Sequence, residues 1–313
     1  KRGSRSLTRE EARHAFSMIL SGAALDVQVG AFLMLLRVKE ESVEELTGFV
    51  EAVRQHVTVP NLAVDLDWSS YAGKRKHFPW FVLSALLLAQ SGVRIVMHGT
   101  AGHTANRLYT ETALQALGYP LCQSVNQIEA ELDRCQFAYV PLSVLSPRLQ
   151  SLIDLRQALG LRSPVHTLTR LINPFNATTS IQAIFHPAYR TAHQQTAFAL
   201  GYQNTLVIKG EGGEFERNPD ADTVLAGIRD GIPYEERWER RHDARSEAEE
   251  DLNLERFVAV WRGELIHSYA EQAVIGTTAL VLFALKKANS ETDAYQQAQD
   301  LWVGRCKTLR VSS

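Results

Sequence analysis

The sequence predicts an α/β protein with a small N-terminal helical domain and a larger α/β domain built on a mostly parallel central sheet. Two helix-start signals in the first sixty residues precede apolar runs at helical spacing. Beyond them, short β-rich runs alternate with helical stretches, a pattern typical of βαβ units. The 313 residues, 45% of them hydrophobic, suffice for one large domain or two modest ones. We expect the domains to span residues 1–60 and 61–313, with a helical segment near 160–185 joining the first.

The N-terminal unit is predicted from its helix caps. Thr8–Glu11 and Ser42–Glu45 are capping boxes, in which a hydroxyl and a carboxylate satisfy free backbone N–H groups of the first turn. Asp26 is expected to cap a helix over the apolar run 27–36. The third helix carries its apolar residues three and four positions apart, on one face. We expect this helical unit to end near Pro60.

Five strands and six helices are predicted after residue 60. The strands are expected at residues 63–66, 93–97, 137–140, 205–208 and 257–260. The helices are expected at residues 79–91, 110–117, 147–159, 188–200, 266–288 and 291–306. The polar, arginine-rich segment 218–251 is expected to be a surface excursion, with a solvated helix over 235–250 supported by i,i+4 ion pairs.

Composition argues against several classes of protein. No run approaches the roughly 18 consecutive apolar residues that a membrane span needs. Three cysteines, Cys122, Cys135 and Cys306, show no CxxC spacing, so neither a disulfide scaffold nor a structural zinc site is expected. We therefore expect a cytoplasmic protein with no membrane partner.

Charge is distributed unevenly along the chain, although the net charge is only −2. Residues 68–110 carry five Lys and Arg side chains and no acidic one, and residues 134–210 carry seven against the single acid Asp154. The local charge favours a polyanionic partner, whereas the net charge argues weakly against one. A solvated basic face is the alternative interpretation.

A family resemblance rests on five segments in a characteristic order. They are Asp65, Met97–Gly99, Leu159–Arg162, Leu171–Pro174 and Gly210–Glu214. In order and spacing they resemble anthranilate phosphoribosyltransferases of glycosyltransferase family 3. Those enzymes carry KHGNR, LGxRT and LGPLxNP motifs, and a D-x-V-G-T-G-G loop that begins where Asp65 stands. The resemblance implies a nucleoside phosphorylase/phosphoribosyltransferase type of fold over nearly the whole chain.

The same resemblance implies a homodimer formed through the N-terminal helical domain. Isologous interfaces of this kind need an apolar patch that faces its own copy across a two-fold axis. The apolar candidates are Phe16, Ile19, Phe32 and Leu35.

The chain departs from the enzymes where they handle phosphate and metal. Trp68 and Tyr71 replace small glycines in the loop that cradles pyrophosphate in those enzymes. Three positions of the KHGNR motif also differ, namely Met97, Thr100 and Ala101. The acidic pair that holds Mg²⁺ in the enzymes aligns with Phe215 and Glu216, so one carboxylate is missing. The resemblance therefore implies that catalysis by the family mechanism is lost, and we expect no cofactor.

These substitutions make the chain more similar to a TrpD-like group typified by YbiB, whose members bind single- and double-stranded nucleic acid. The shared features are the segment His166–Arg170, the pair His186-Pro187 and a basic cluster in place of the glycine loop. The basic residues that this resemblance places in a nucleic-acid site are Lys74, Arg75, Lys76, Arg107, Arg162 and Arg170. The interleaved aromatic side chains Trp68, Tyr71, Phe78 and Trp80 either stack on unpaired bases or fill the core.

Two other readings of the sequence remain open. A phosphoribosyltransferase would use Arg156 for the carboxylate of an anthranilate-like aromatic acid, with His98 and Gly99 in the substrate site and Glu216 on Mg²⁺. Alternatively, the protein is a dimeric scaffold with no ligand beyond its own copy. His98 and His103 lack partners at metal-ligand spacing, so a structural role is expected for each.

Overall fold

Three helices at the N-terminus pack their apolar faces together. The computed structural model describes residues 5–102, 104, 106–241, 246, 248–249 and 251–308. The helices are α1 (Arg9–Leu20), α2 (Asp26–Lys39) and α3 (Val43–His56). Both predicted capping boxes are present, at Thr8 and Ser42. The predicted cap at Asp26 is wrong by one position, because Leu25 is the cap residue and Asp26 begins the helix. The carboxylate still lies in the first turn, where the helix dipole favours it.

Within the described residues, a seven-stranded sheet forms the centre of the larger domain. The strands are β1 (Leu66–Ser70), β2 (Ile95–Gly99), β3 (Phe137–Pro141), β4 (Thr179–Ile184), β5 (Asn204–Lys209), β6 (Thr223–Arg229) and β7 (Ile232–Trp238). They lie in the order β3-β2-β1-β4-β5-β6-β7. Strands β1 to β5 run parallel to one another, and β6 and β7 add an antiparallel edge. The sheet is therefore mostly parallel, as predicted.

Helices cover both faces of this sheet. They are α4 (Trp80–Gln90), α5 (Thr110–Ala116), α6 (Asn126–Cys135), α7 (Leu142–Leu145), α8 (Pro147–Asp154), α9 (Arg156–Leu159), α10 (Val165–Leu168), α11 (Tyr189–Ala199), α12 (Leu254–Arg262), α13 (Ser268–Ala284) and α14 (Glu291–Gly304). A 3₁₀ turn, Glu211–Gly213, follows β5. Among the described residues, none of the helices has the length and apolar character of a membrane-spanning segment.

Alternate side chains of the strands enter two separate cores. In β2, Ile95 and Met97 join the core of α4 and α13, whereas Val96 joins a second core on the opposite face. This second core runs from Phe16 in α1 to Ile172 after α10. The N-terminal helices are therefore packed against the segment of α7, α8 and α10 and not held by the chain connection alone.

Two element assignments differ from the sequence prediction. The first strand begins at Leu66 and not at residue 63, and residues 257–260 belong to α12 and not to a strand. Phe257, Val260 and Trp261 are the buried residues of this helix. Their spacing of three and four is helical, but a run of four apolar residues in sequence conceals it.

Strands β4, β6 and β7 are absent from the sequence prediction. β4 lies inside the range 160–185, where a helical segment was expected and where the helix is in fact limited to α10. All its residues are buried, although Thr, Ser and Gln side chains interrupt its apolar pattern. β6 and β7 form a hairpin in the segment expected to be a surface excursion. The helix expected over 235–250 is thus wrong through Trp238, because charged side chains alternate along an exposed edge strand.

Candidate functional site

The candidate residues gather at one edge of the sheet. Because β1, β2, β4 and β5 are parallel, the segments that follow them meet at their common carboxyl edge. Residues 71–77 follow β1, residues 100–109 follow β2, and residues 210–217 follow β5. The short helices α9 and α10 bring the remaining basic residues to the same place. This is the usual position of ligand sites in open parallel sheets.

Carboxylates of the segment after β5 hold the segment after β1. Glu214 Oε1 accepts hydrogen bonds from the backbone N–H groups of Ala72, at 2.5 Å, and Gly73, at 2.7 Å. Glu211 Oε1 accepts one from the backbone N–H of Lys76, at 2.9 Å. Backbone amides that would be free to bind an anion are therefore already bonded to side chains of this chain.

Lys74 lies inside this arrangement and not on its rim, which corrects the sequence prediction. Its side chain is 1% exposed, and its Nζ lies 2.6 Å from Glu216 Oε1 and 2.9 Å from Glu211 Oε2. Burial alone would lower the pKa of Lys74, but the carboxylates of Glu216 and Glu211 outweigh it and raise the pKa above its ordinary value. The ammonium group is therefore charged and internally paired. Arg75 and Lys76 are exposed, as the prediction required.

The aromatic side chains of this region are all core residues. Trp68, Phe78 and Trp80 are fully buried, and Tyr71 is nearly so. Tyr71 donates or accepts a 2.6 Å hydrogen bond with His98 Nδ1. These four side chains therefore cannot stack on bases in this conformation, and of the two roles considered for them only core packing remains. The large side chains of Trp68 and Tyr71 fill the space beside the loop in the region where the enzymes named above carry small glycines.

Four arginines concentrate positive charge beside the loop. Arg107 Nη1 donates to the backbone carbonyls of Ala72, at 2.8 Å, and Gly73, at 3.1 Å. Arg156 Nη1 donates to Thr104 Oγ1 at 2.7 Å. The guanidinium of Arg170 donates to the carbonyl of His166 and lies 5.9 Å from the centre of the Tyr71 ring.

Arg162 completes this cluster. Burial, together with the positive charges of Arg170, Arg156 and Arg107, lowers the pKa of Arg162 to about 10. These three guanidinium groups therefore lie within electrostatic reach of Arg162. An anion entering the cluster would relieve the repulsion between their charges.

Arg162 and Arg170 line a pocket of about 140 Å³ between the helical unit and the sheet. Arg37 of α2 contributes a third guanidinium, and His166, His186 and His193 contribute imidazoles. Burial and the charges of Arg162 and Arg170 lower the pKa of His166 to about 3, so its ring is neutral at physiological pH. The described residues that line this pocket include no carboxylate. We call it the arginine pocket.

His98 and Gly99, the substrate residues of the phosphoribosyltransferase reading, are enclosed. His98 is fully buried, with Nε2 3.2 Å from Asp67 Oδ1 and Nδ1 against the Tyr71 hydroxyl. Gly99 lies directly against the backbone carbonyl of Ser70, so a side chain there would collide with β1. Both residues therefore have structural roles, as expected for His98. His103 lies outside the described residues.

The carboxylates do not fit a resident Mg²⁺. Glu216 uses one oxygen for Lys74 and the other for the backbone N–H of Phe81, at 2.9 Å. Glu214, two residues earlier, accepts the amides of Ala72 and Gly73 with Oε1, and the positive charge of Arg170 acts on the same carboxylate. Among the described residues, no three His, Cys, Asp or Glu side chains are placed to hold a metal ion. No step of a reaction is therefore assigned to a metal here.

Sequence reasoning missed the residues that come from far along the chain. Arg37 joins the arginine pocket from the helical unit, and Glu211 and Glu214 pair with the loop after β1. One signal could have revealed the pairing of Glu211: the acid-free stretch 68–110 contains Lys74, and a lysine buried there requires a carboxylate partner from elsewhere in the chain. The acidic segment 211–216 is the nearest family-aligned source of one.

A helical bundle packed on an α/β domain, with basic residues at the carboxyl edge of parallel strands, defines a two-domain scaffold of the phosphoribosyltransferase type. Comparison with protein-family models matches residues 1–57 to the glycosyl transferase family helical bundle domain and residues 81–303 to the a/b domain of that family. The chain belongs to this glycosyl transferase family. The scaffold is anthranilate phosphoribosyltransferase-like.

Curated relatives include both kinds of protein suggested by the sequence. The uncharacterized protein YbiB of Escherichia coli is 30% identical over 225 residues, which is 70% of each chain. The anthranilate phosphoribosyltransferase of Symbiobacterium thermophilum is 28% identical over 236 residues, covering 74% of this chain and 68% of the relative.

Solved structures of that enzyme share the fold. The anthranilate phosphoribosyltransferase of Thermus thermophilus superposes with a TM-score of 0.77 at 20% identity, over 95% of this chain and 92% of the other. The enzyme of Saccharomyces cerevisiae, in complex with PRPP and Mg, gives a TM-score of 0.76 at 16% identity, over 95% and 89%. At these identities the likeness describes the fold.

Proposed function

We propose that this chain is a non-catalytic protein that binds single- or double-stranded nucleic acid through its phosphates, with little sequence preference. The observation that carries the proposal is the arginine pocket, where Arg37, Arg162 and Arg170 meet without a carboxylate among the described lining residues. Guanidinium groups pair with phosphate oxygens in two parallel hydrogen bonds. Such contacts supply affinity that does not depend on base sequence.

Two further features support a polyanion over a single small anion. Arg75 and Lys76 are exposed on the loop after β1. Arg107 donates to the carbonyls of Ala72 and Gly73 in the same loop, and its charge acts on Arg162 of the pocket. A backbone with regularly spaced phosphates can reach several of these groups at once, whereas one phosphate cannot. The proposal includes a cytoplasmic location, in keeping with the cysteine pattern.

The second candidate is pentosyl transfer from phosphoribosyl pyrophosphate to an anthranilate-like aromatic acid. It is favoured by Arg156, which stands where the enzymes bind the carboxylate and remains half-buried at the site. Against it, Glu216 is bonded to Lys74, and the amides after β1 are bonded to Glu211 and Glu214. Neither the metal nor the pyrophosphate then has its usual partners, so we place this function second.

The deciding experiment is fluorescence anisotropy with a labelled single-stranded oligonucleotide at about 50 mM and about 200 mM salt. If about five phosphates are neutralised, the affinity should fall roughly 100-fold between the two conditions. Arg162→Ala combined with Arg170→Ala should weaken binding to every sequence tested and reduce the salt dependence. Arg262→Ala, which removes an exposed guanidinium from α12, is the matched control and should bind as the parent does.

Two results would contradict this proposal. The first is absence of binding at the lower salt concentration. The second is release of a phosphoribosylated aromatic acid in the presence of phosphoribosyl pyrophosphate, Mg²⁺ and anthranilate, which would move the second candidate to first place. An Arg156→Ala variant would then be expected to lose that activity.

The proposal includes a homodimer formed through the helical unit, with a revised set of contact residues. Phe16 and Ile19 lie in the core of the unit and are not available, which corrects the sequence prediction. Leu35 is 71% exposed, and Val27 and Val38 on the same helix are exposed as well. Large apolar side chains exposed together on α2 favour burial against a second copy.

A further inference from the structure

A buried ammonium group lies between two carboxylates at the centre of the site. Lys74 Nζ is 2.6 Å from Glu216 Oε1 and 2.9 Å from Glu211 Oε2, and both the Lys74 and Glu216 side chains are almost completely buried. The other oxygens of these carboxylates accept backbone N–H groups, Phe81 for Glu216 and Lys76 for Glu211. Only the two oxygens that face the ammonium are therefore directed into the space between them.

We infer that the Lys74 ammonium replaces a divalent cation, so that the chain carries its own positive charge at a site whose carboxylates would otherwise hold a metal ion. Oxygen ligands from two carboxylates are the donor set that Mg²⁺ and Mn²⁺ take in proteins, completed by water. The Glu216 carboxylate is buried, and it stays ionised beside Glu211, whose side chain is 27% exposed, only with a cation next to it. The lysine supplies that cation covalently, and excludes a metal because both would compete for the same oxygens.

The site also has the route and the room that a metal ion would need once the lysine is removed. Lys74, Glu211 and Glu216 line a pocket of about 390 Å³ at the carboxyl edge of the sheet. Asn218 and Asp220 line the same pocket, and their side-chain oxygens already accept hydrogen bonds from Asp220 N and from Ser246, so the remaining ligands of a metal ion there would be water. Shortening Lys74 to alanine would connect the two carboxylate oxygens to this pocket. This inference concerns the cation site only and does not depend on the proposed nucleic-acid function.

The test is a Mn²⁺ titration followed by electron paramagnetic resonance, in which bound Mn²⁺ loses the six-line signal of the free ion. The parent protein should show no saturable site that depends on Glu216. Lys74→Ala should gain one such site, and the double variant Lys74→Ala with Glu216→Gln should lose it again. Lys76→Ala, which removes an exposed neighbouring lysine, is the matched control and should behave as the parent does.

Thermal unfolding gives a second readout of the same site. Mn²⁺ at about a hundredfold excess over its Kd should raise the Tm of Lys74→Ala by roughly 5 °C and leave that of the parent unchanged. If Lys74→Ala does not fold even with Mn²⁺, Lys74→Gln keeps a polar side chain without charge and is measured in the same way.

Either of two results overturns the inference. One is a saturable Mn²⁺ site in the parent protein that Glu216→Gln removes, since the lysine would then not exclude metal. The other is a folded Lys74→Ala or Lys74→Gln protein that binds no more Mn²⁺ than the parent.

Discussion

Lys74 and Arg162 show how two basic residues of one site take opposite roles. The charge of Lys74 is paired with the buried carboxylate of Glu216 and the partly exposed carboxylate of Glu211, and it therefore stabilises the loop after β1 and is not available to a ligand. Arg162 faces three other guanidinium groups that lower its pKa further than burial alone. Positive charges that repel one another destabilise the folded protein unless an anion binds among them. The distinction depends on which partners surround each group, not on residue type.

Buried histidines at the same edge of the sheet predict that the stability of the fold decreases at acidic pH. Burial and the charge of Arg170 lower the pKa of His193 from 6.5 to about 3. The unfolded chain therefore binds a proton that the folded chain refuses between about pH 6.5 and pH 3. We expect the free energy of unfolding to be highest above this range and to fall, as pH decreases, by up to about 1.4 kcal/mol per pH unit for this residue.

Urea denaturation at a series of pH values measures this effect. His193→Gln should flatten the decline between pH 6.5 and 3, and the remaining slope should include the contribution of His166, whose pKa is lowered to about 3 as well. His14→Gln, a change at an exposed histidine, is the control. Identical slopes for the parent and His193→Gln would show that His193 is not held neutral.

At the scale of elements, local signals account for the helices and long-range packing accounts for the strands. The capping boxes at Thr8 and Ser42 are encoded within four residues, and both form as predicted. β4 has no comparable local signal, since its polar residues are buried only because β1 and β5 lie on either side. The hairpin of β6 and β7 depends equally on pairing with β5. Elements defined by neighbours far along the chain were those missed.

Glu45 connects the three N-terminal helices and provides the prediction for this scale. It is fully buried, and its carboxylate accepts hydrogen bonds from Leu7 N at 2.9 Å, Ser42 N at 2.8 Å and Lys39 Nζ at 2.6 Å. Glu45→Gln removes the negative charge of the side chain. The amide NH₂ group of the glutamine would then face one of these three hydrogen-bond donors, which would lose its acceptor. We expect the free energy of unfolding to fall by about 2–3 kcal/mol in urea denaturation.

Glu44→Gln is the matched control, because Glu44 is the exposed neighbour on the same helix. Its replacement should change the free energy of unfolding by no more than about 0.5 kcal/mol. Equal stabilities of the two variants would mean that the Glu45 contacts contribute little.

For the whole molecule, the arrangement of charge and apolar surface predicts how copies and ligands meet. The basic pocket lies between the helical unit and the sheet, and the exposed apolar side chains Val27, Leu35 and Val38 lie on α2. Arg37 of the pocket is on the same helix, between Leu35 and Val38, so a dimer formed through α2 would place the pocket next to the interface. In a dimer, two such pockets would be presented by one particle, and a single polyanion of sufficient length could engage both.

Leu35→Glu tests the dimer directly. A carboxylate on the apolar face of α2 should convert the dimer to a monomer, because an unpaired charge would be buried at the interface. Light scattering coupled to size-exclusion chromatography over a range of concentrations measures the mass. Val303→Glu is the control, since Val303 is 69% exposed but lies on α14. A parent protein that is monomeric at every concentration would remove the dimer from the proposal.

The sequence by itself determined the fold class, the three N-terminal helices, most later helices and the parallel strands β2, β3 and β5, whereas the strand it predicted at 63–66 overlaps β1 only at Leu66. These features follow from caps and periodicities contained in short segments. It also assigned Arg107, Arg162 and Arg170 to a nucleic-acid site and Arg156 to the substrate site of the alternative reading. The charges of Arg107, Arg156 and Arg170 all act on Arg162, so the structure brings these four side chains into one region. Each motif lies within a short stretch of sequence, and the parallel strands bring the segments that carry the motifs to one edge of the sheet.

Only the tertiary structure decided which charges are available. Lys74 belongs to the same three-residue cluster as Arg75 and Lys76, yet it alone is buried, because Glu216 lies 142 positions further along the chain and bonds to it. Arg37 of α2 lines the arginine pocket although it belongs to the helical unit, and its Nη1 donates to the hydroxyl of Tyr189 in α11. Burial and pairing are properties of neighbours in space, so the availability of a basic side chain to a ligand depends on the carboxylates that folding brings beside it.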